Sequence, residues 1–348
     1  MTASYRVIVT GAGSGVGQGI MKALRKSALN VDVIATDISP FNQGLYLTAN
    51  SLIMPPVESE NALERILEIL KAAKPDAIMI GSEFDLKFFA QHREIIEKET
   101  GALVIVSDLS SVNIADDKWL TAEFLRIHEL PHPRSAVPRD IDEALAEARQ
   151  LGYPCVLKPR SGTSNRHVHI IRSADQLVIA FPDVSNPVLQ ELIAEPSDRL
   201  ANEYTCSVFR CRDGTLLGPF TARRTLRTGN SWMVEVGCFE SLHPILIGIG
   251  RALPCLGTLN VQLMVGKRGP VPFEFNARFS GTTAVRAYFG FNEPEMSLRN
   301  YLLGEPLSQP QIRCGMAFRY LEEVFIEGVR ADDIGAENLP KGVVVPWF

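Results

Sequence analysis

The chain has 348 residues, with 46% hydrophobic and 22% charged side chains, an ordinary globular composition too long for one small core. A formal net charge of −5 argues against a general nucleic-acid binder, which needs a basic surface. No apolar run reaches membrane-spanning length, and no charged segment followed by an apolar one opens the chain, so neither a membrane nor a secretory leader is expected.

The first third alternates strand and helix. YRVIVT, VDVIAT, DAIMIG and LVIVSD are short runs rich in Val and Ile, as parallel strands buried on both faces should be. Between them, Val16, Ile20, Ala23 and Leu24 form one helical stripe, and Leu63, Ile66, Leu67 and Leu70 another. A parallel sheet built from βαβ units follows. Near Asp116 the pattern changes to the helix DDKWLTAEFLRIHE, a Pro-punctuated stretch, the helix DIDEALAEARQLG, and a strand running into a loop at GYPCVLKPRSG. From Val188 the chain turns β-rich, through VLQELI, NEYTCSVF, LGPFTAR and WMVEVG. A helix around ESLHPILIGIGRAL follows, then the hairpin LNVQLMV/VPFEFNARF and a further strand in GMAFRYLEEVFI. Six cysteines (155, 206, 211, 238, 255 and 314) are scattered among apolar residues. Cys206 and Cys211 find no second pair to complete a zinc site, so reduced thiols in a cytoplasmic protein are expected.

The turn TGAGSGVGQGI lies between the first strand and the first helix, where backbone N–H groups can approach a phosphate. It fits the T-G-x-x-x-G-x-G spacing of short-chain dehydrogenases, with Asp37 placed as a ribose-binding acid. That gives an NAD(P)-dependent oxidoreductase as one alternative. No tyrosine has the Lys four residues later that such chemistry needs: Tyr46 is followed at that spacing by Asn50. The glycines serve close helix–strand packing in either case.

The hairpin carries more. In a strand, residues two apart share a face, so Glu274, Asn276 and Arg278 project together, and Phe273, Phe275 and Phe279 project to the other side. A carboxylate beside amides suits Mg²⁺, and an arginine next to them suits a phosphoryl group in transfer. Alone, this is also the pattern of an amphipathic strand with a charged outer face.

Taken in order, Lys118, Lys158, the loop after it, Glu191, Glu203, Gln262, Glu274, Asn276 and Arg278 resemble the ATP-grasp superfamily. The likeness is to its carbamoyl-phosphate-synthase-like carboxylate–amine ligases. It covers about 115 to 310, and the preceding part resembles the domain that usually precedes the ATP-binding unit. The fold implied is α/β: a Rossmann-like parallel-sheet (preATP-grasp) domain over 1–115, then a two-subdomain α+β ATP-grasp fold. Its small subdomain with a lid spans 116–187, its metal-bearing subdomain 188–310, and a terminal strand and tail 311–348.

The resemblance implies that Lys118 and Lys158 contact nucleotide phosphates. It places Gly162, Thr163 and Ser164 in the lid. Gln190 falls in the same nucleotide site, backbone groups of Glu191, Leu192 and Ile193 read the adenine edge, and Glu203 accepts from the ribose. Gln262, Glu274 and Asn276 hold two Mg²⁺ ions, for which Mn²⁺ can substitute. Arg278 neutralises the γ-phosphoryl group, and Arg223, Arg224, Arg227 and Arg286 are candidates for substrate carboxylate or leaving phosphate. The lid is poorer in glycine than the family pattern, with Ser164, Asn165 and His167 at its Gly, Ser and Gly positions. A left-handed φ there is less favourable.

An ATP-dependent ligase joining a small carboxylate to an amine through an acyl phosphate is therefore expected, with ATP and Mg²⁺ as cofactors and a homodimer possible. A non-catalytic nucleotide-binding protein is the other alternative.

Overall fold

The computed structural model describes residues 3–162, 167–195, 199–336 and 339–345. Thr163 and Ser164 of the expected lid lie outside the described residues.

The N-terminal part is the expected parallel sheet. Strands β1 (Ser4–Val9), β2 (Asn30–Asp37), β3 (Asn50–Ile53), β4 (Ala77–Met79) and β5 (Leu103–Ile105) lie in the order β3-β2-β1-β4-β5, every pair parallel. Interleaved helices α1 (Gly15–Arg25), α2 (Ala62–Ala73), α3 (Glu83–Thr100) and α4 (Leu109–Asp116) cover it. Val7, Ile8, Val9, Ile78 and Val104 have no exposure, as strands covered on both faces require.

The glycine-rich turn explains itself by packing. Ser14 caps α1 through the Gly17 N–H, and a Cβ on Gly17 would lie 2.2 Å from the Gly11 carbonyl oxygen. Gly11 itself has φ +57°, the left-handed region that glycine enters without strain. Asp37 accepts from the Gly13 N–H (2.8 Å), the Ile38 N–H (2.8 Å) and the Asn42 side chain. Its oxygens thus hold the turn together, a packing role that accounts for Asp37 without the ribose of the oxidoreductase alternative.

Helix α5 (Lys118–Ile127) begins the next region, with Asp117 as its N-cap accepting from the Trp119 and Leu120 N–H groups. Strands β6 (Ser135–Ala136), β7 (Cys155–Pro159), β8 (His169–Ile171) and β9 (Pro187–Glu191) form an antiparallel sheet in the order β6-β9-β7-β8. Helices α6 (Ile141–Leu151) and α7 (Ala174–Ala180) pack on it through Ala144, Ala148 and Leu177. Because β9 pairs with β7, a division at 187 falls one strand too early.

The third sheet is antiparallel. It comprises β10 (Glu203–Arg210), β11 (Leu216–Phe220), β12 (Ala222–Arg227), β13 (Asn230–Val236), β14 (Gly257–Gly266), β15 (Gly269–Asn276) and β16 (Gly315–Phe318). The order is β15-β14-β10-β12-β13-β16, with β11 also on β10. Helix α8 (His243–Ala252) packs on one face, burying Ile245, Leu246 and Ile249 against Val208, Leu259 and Val261. The short helices α9 (Thr283–Tyr288) and α10 (Glu293–Ser297) bind the sheet to α1: Asn292 Nδ2 donates to the Ala23 carbonyl (3.0 Å). After β16 the tail returns to the N-terminal core, where Val324, Ile326, Ile334 and Leu339 pack. No described helix is long and apolar enough to cross a membrane.

Candidate active site

The three sheets enclose a cleft of about 1390 Å³, lined by residues from every region. Small-ligand pockets usually measure about 300–1,000 Å³, so there is room for a nucleotide and a second molecule.

Gln262 and Glu274 lie on its floor, and Asn276 is buried beside Glu274. Glu274 Oε1 accepts from Gln262 Nε2 (3.1 Å) and from Asn276 Nδ2 (3.2 Å). Gln262 Oε1 in turn accepts from Arg224 Nη2 (2.7 Å), and Glu203 Oε1 accepts from Arg224 Nε (2.9 Å) and Nη2 (2.7 Å). Cross-strand register makes this line: Gln262 lies opposite Glu274 on β15 and opposite Thr205 on β10. Five side chains from four strands therefore form one continuous polar row, Glu203–Arg224–Gln262–Glu274–Asn276. A carboxylate flanked by two amides is a set of hard donors that fits Mg²⁺.

The hairpin departs from simple alternation at one place. Gln262 faces Glu274 but Leu263 faces Pro272, so Phe273 is the extra residue of a β-bulge. Phe275 and Phe279 are buried in the core as alternation requires. Phe273 instead lines the cleft beneath the Lys158 ammonium, 5.5 Å from its ring centroid. The bulge corrects the expectation that all three phenylalanines share the core face.

Both lysines reach this cleft. Lys158 lies one residue before the end of β7 and is 9% exposed; Lys118 opens α5 and is 8% exposed, with Nζ donating to the Gly162 carbonyl (2.8 Å). An Asp117–Arg160 pair (2.6 Å) and a backbone bond from the Lys118 N–H to Arg160 O (2.8 Å) tie their two elements together. Burial drives the Lys158 pKa down to about 8, with Lys118 adding to the fall and Glu274 opposing it.

At the end of β9 the chain passes Glu191, Leu192 and Ile193, all lining the cleft. The Glu191 N–H already donates to Arg134 O (2.9 Å), and its carboxylate binds Arg134 and Arg268. Glu191 is thus a strut whose N–H is already engaged, leaving its carbonyl and the backbone groups of Leu192 and Ile193 for the adenine edge. Gln190, 2% exposed, donates to Ser135 Oγ (2.9 Å). His167, at a family glycine position, takes φ +56°.

The arginines divide. Arg278 lines the cleft, with Nη1 donating to Phe279 O (2.7 Å) and Nη2 to Glu83 at the start of α3. Arg224 lies in the polar row. Arg223 pairs with Glu235 (2.6 Å), and Arg227 stacks over Trp232 at 4.9 Å. Arg286 has no exposure and pairs with Glu293 (3.0 Å) inside the protein, so it cannot touch a substrate carboxylate or phosphate.

Two groups went unread in the sequence. Asn260 is 1% exposed, lines the cleft and lies two residues before Gln262 on the same strand face, so the alternation that singled out Gln262 also pointed to it. The other is Asp85 on α3, in the N-terminal wall of the cleft, whose pKa is raised to about 6 by burial, with Asp37 and Glu58 adding to it. The folded protein thus holds this proton more tightly than the unfolded chain. That stabilising contribution is complete below about pH 4 and is lost as pH rises through about 6. Asp85→Asn is expected to raise stability by about 1–3 kcal/mol at pH 7.5 and by little at pH 4. Thermal melts at the two pH values check this, and equal shifts at both would refute it.

Comparison with known proteins agrees with this geometry. Residues 115–282 match the family model of the ATP-grasp domain, and residues 7–105 that of the PylC-like, N-terminal domain. The carbamoyl phosphate synthase large chain of Rubrobacter xylanophilus is 27% identical over 190 residues, in an alignment that covers 49% of this chain and 16% of that one. The chain thus spans well under a quarter of that relative's length. Among solved structures, the biotin carboxylase domain of Hydrogenobacter thermophilus 2-oxoglutarate carboxylase, a dimer with MgADP, ADP and bicarbonate, aligns with a TM-score of 0.73. It is 17% identical, over 99% of this chain and 84% of that one. N5-carboxyaminoimidazole synthetase from Staphylococcus aureus, complexed with ADP, gives 0.72 at 14% identity over 92% and 83%. At such identities the likeness is one of fold. Ordered motifs and matching models lead to one conclusion: the chain belongs to the ATP-grasp superfamily through residues 115–282.

Proposed function

We propose that this protein is an ATP-dependent carboxylate–amine ligase that forms an amide or peptide-like bond on small molecules. The supporting observation is the polar row Glu203–Arg224–Gln262–Glu274, which lines one cleft with Lys118, Lys158 and Arg278 and is continued just beneath it by Asn276. In this reading Lys118 and Lys158 bind nucleotide phosphates, Leu192 and Ile193 flank the base, and Glu203 faces the ribose. Gln262, Glu274 and Asn276 would hold Mg²⁺, as two ions, with Mn²⁺ able to substitute. The metal supplies charge neutralisation on the phosphoryl oxygens. The solved structures that support the reading are complexes with ADP or MgADP, and one is a dimer, so a homodimer is part of the proposal.

The residues' task is electrostatic. A substrate carboxylate and a γ-phosphoryl group are both anions, and their approach is repulsive unless screened. Arg278, fixed by Glu83 and Phe279 O, and the two lysines do that without reorganising. A carboxylate oxygen bonds to the γ-phosphorus as the β–γ P–O bond breaks, releasing ADP. The amine then bonds to the acyl carbon, the acyl C–O bond breaks, phosphate leaves and the ammonium proton passes to solvent. Closing the cleft keeps water from the acyl phosphate. The N-terminal wall, with Glu58 and Asp85, favours an amine that arrives as its ammonium and releases one proton to solvent before attack.

Phosphate release with MgATP against a panel of carboxylates and amines tests the proposal. Release that requires one member of each class supports it. ATP binding without release under any pair favours a non-catalytic nucleotide-binding protein, the reading that His167 at a glycine position speaks for.

A further inference from the structure

Beneath the cleft floor lies a charged pair that the ligase reading leaves without a task. Arg286 on α9 and Glu293 on α10 both have no exposure. Glu293 Oε1 accepts from Arg286 Nη1 (3.0 Å), from Ser207 Oγ (2.5 Å) and from Thr258 Oγ1. Arg286 Nη2 donates to Asn260 Oδ1, Thr205 Oγ1 (3.3 Å) and Cys206 O (3.4 Å), with the Phe220 ring 5.7 Å away. Arg286 Nε and Glu293 Oε2 are buried with no hydrogen-bond partner. A buried pair with groups left unsatisfied is poor stabilising design, since well-packed apolar residues commonly do as well or better. Its presence calls for another reason, and Asn260 supplies one.

Asn260 lies opposite Asn276 on β15 and opposite Ser207 on β10, on the strand face that carries Gln262. Its carboxamide oxygen is taken from behind by Arg286 and by Thr205 Oγ1 (3.2 Å). An amide has one oxygen end and one NH₂ end. With the oxygen held on the buried side, the NH₂ group is the end left for the cleft that Asn260 lines. Arg286 cannot be deprotonated in a protein, so it always presents donors and never permits the opposite orientation. Glu293, taking three donors on Oε1, fixes Arg286 in turn.

We propose that Arg286, clamped by Glu293, is a positioning residue that orients Asn260 as a fixed N–H donor beside Glu274 and Asn276 at the phosphoryl-transfer floor. This rests on the ligase reading. Arg286 touches no substrate; it acts through Asn260.

Asn260→Asp and Arg286→Lys separate this from a purely structural role. Asp at 260 keeps the shape and still accepts from Arg286, but replaces a donor by an acceptor. Its kcat for MgATP-dependent phosphate release is expected to fall roughly 10²-fold, with the ATP KM changed less than about threefold and the thermal midpoint nearly constant. Lys at 286 keeps the charge but loses the planar fork that reaches Glu293 and Asn260 together, so kcat falls there too. If Arg286 works through Asn260, the double variant is no slower than the slower single one. Wild-type kcat in both single variants, or losses that multiply in the double variant, would overturn the proposal. MgATP binding and turnover by the wild-type protein are the separate control: their absence sinks the ligase reading itself, and this inference with it.

Discussion

Glu274→Gln is expected to lower MgATP-dependent phosphate release by roughly 10³-fold while the protein stays folded. Glu274 is the carboxylate of the floor triad; its partners Gln262 and Asn276 are neutral amides, and each already orients toward it. Replacing one oxygen by NH₂ keeps volume and shape but removes the negative charge that makes the triad a cation site. The amides lose an ionised acceptor, which is a modest change on a floor open to the cleft. The thermal midpoint should therefore move by no more than a few degrees. Raising Mg²⁺ should recover part of the rate, because the two amide oxygens can still turn toward the ion. Near-wild-type release at ordinary Mg²⁺ would mean that the floor holds no metal in catalysis, and the ligase mechanism would lose its centre.

Why Glu274 was readable in the sequence, and its surroundings less so, is a matter of range. Two-residue alternation is local, so it placed Glu274 with Asn276, and the hairpin turn placed Gln262 across from them. The parallel sheet was equally legible, because strands covered on both faces are written as unbroken Val and Ile runs. The bulge was not: one extra residue at Phe273 is set by how β15 pairs with β14, and no residue type there announces it. Arg286 was misread for a related reason. In sequence it follows a polar loop and looks exposed, yet its burial depends on Glu293 arriving from the next helix and on β10 and β14 offering Ser207, Thr258 and Asn260. The contact between Arg278 and Glu83 joins residues 195 apart in the chain, so only the docking of α3 against the hairpin creates it. Asp37 shows the converse. Its position fits a ribose-binding acid only in the oxidoreductase alternative, and its hydrogen bonds serve the turn.

Lys158→Met is expected to make the protein more stable and nearly inactive at once. In the folded protein the ammonium is buried and its pKa lies at about 8 instead of 10.5, chiefly through desolvation. The sign follows directly. Between about pH 8 and 10.5 the unfolded chain binds more protons at this site than the folded one, so stability rises with pH across that window. Below about pH 8 the penalty of burying the charge is present in full, on the order of 3 kcal/mol at pH 7. Methionine fills similar space without a charge and removes that penalty. The variant should therefore gain up to about 3 kcal/mol at pH 7 and little near pH 10.5. Function moves the other way, because nothing else in β7 can bring a cation over Phe273 to a phosphate. A loss of roughly 10²-fold or more in kcat/KM for ATP is expected. The same residue predicts a titration in the wild-type protein. As pH rises through about 8 the free protein loses the charge, so kcat/KM for ATP should fall, and binding near pH 8 should take up a proton as phosphate restores the ammonium. Calorimetry in two buffers of different ionisation enthalpy reads that uptake, which should vanish in Lys158→Met. A variant less stable than wild type at pH 7, or unchanged proton uptake, would show that Lys158 is an ordinary structural lysine. The opposite outcome identifies a residue kept at a cost in stability because a phosphate is what completes its environment.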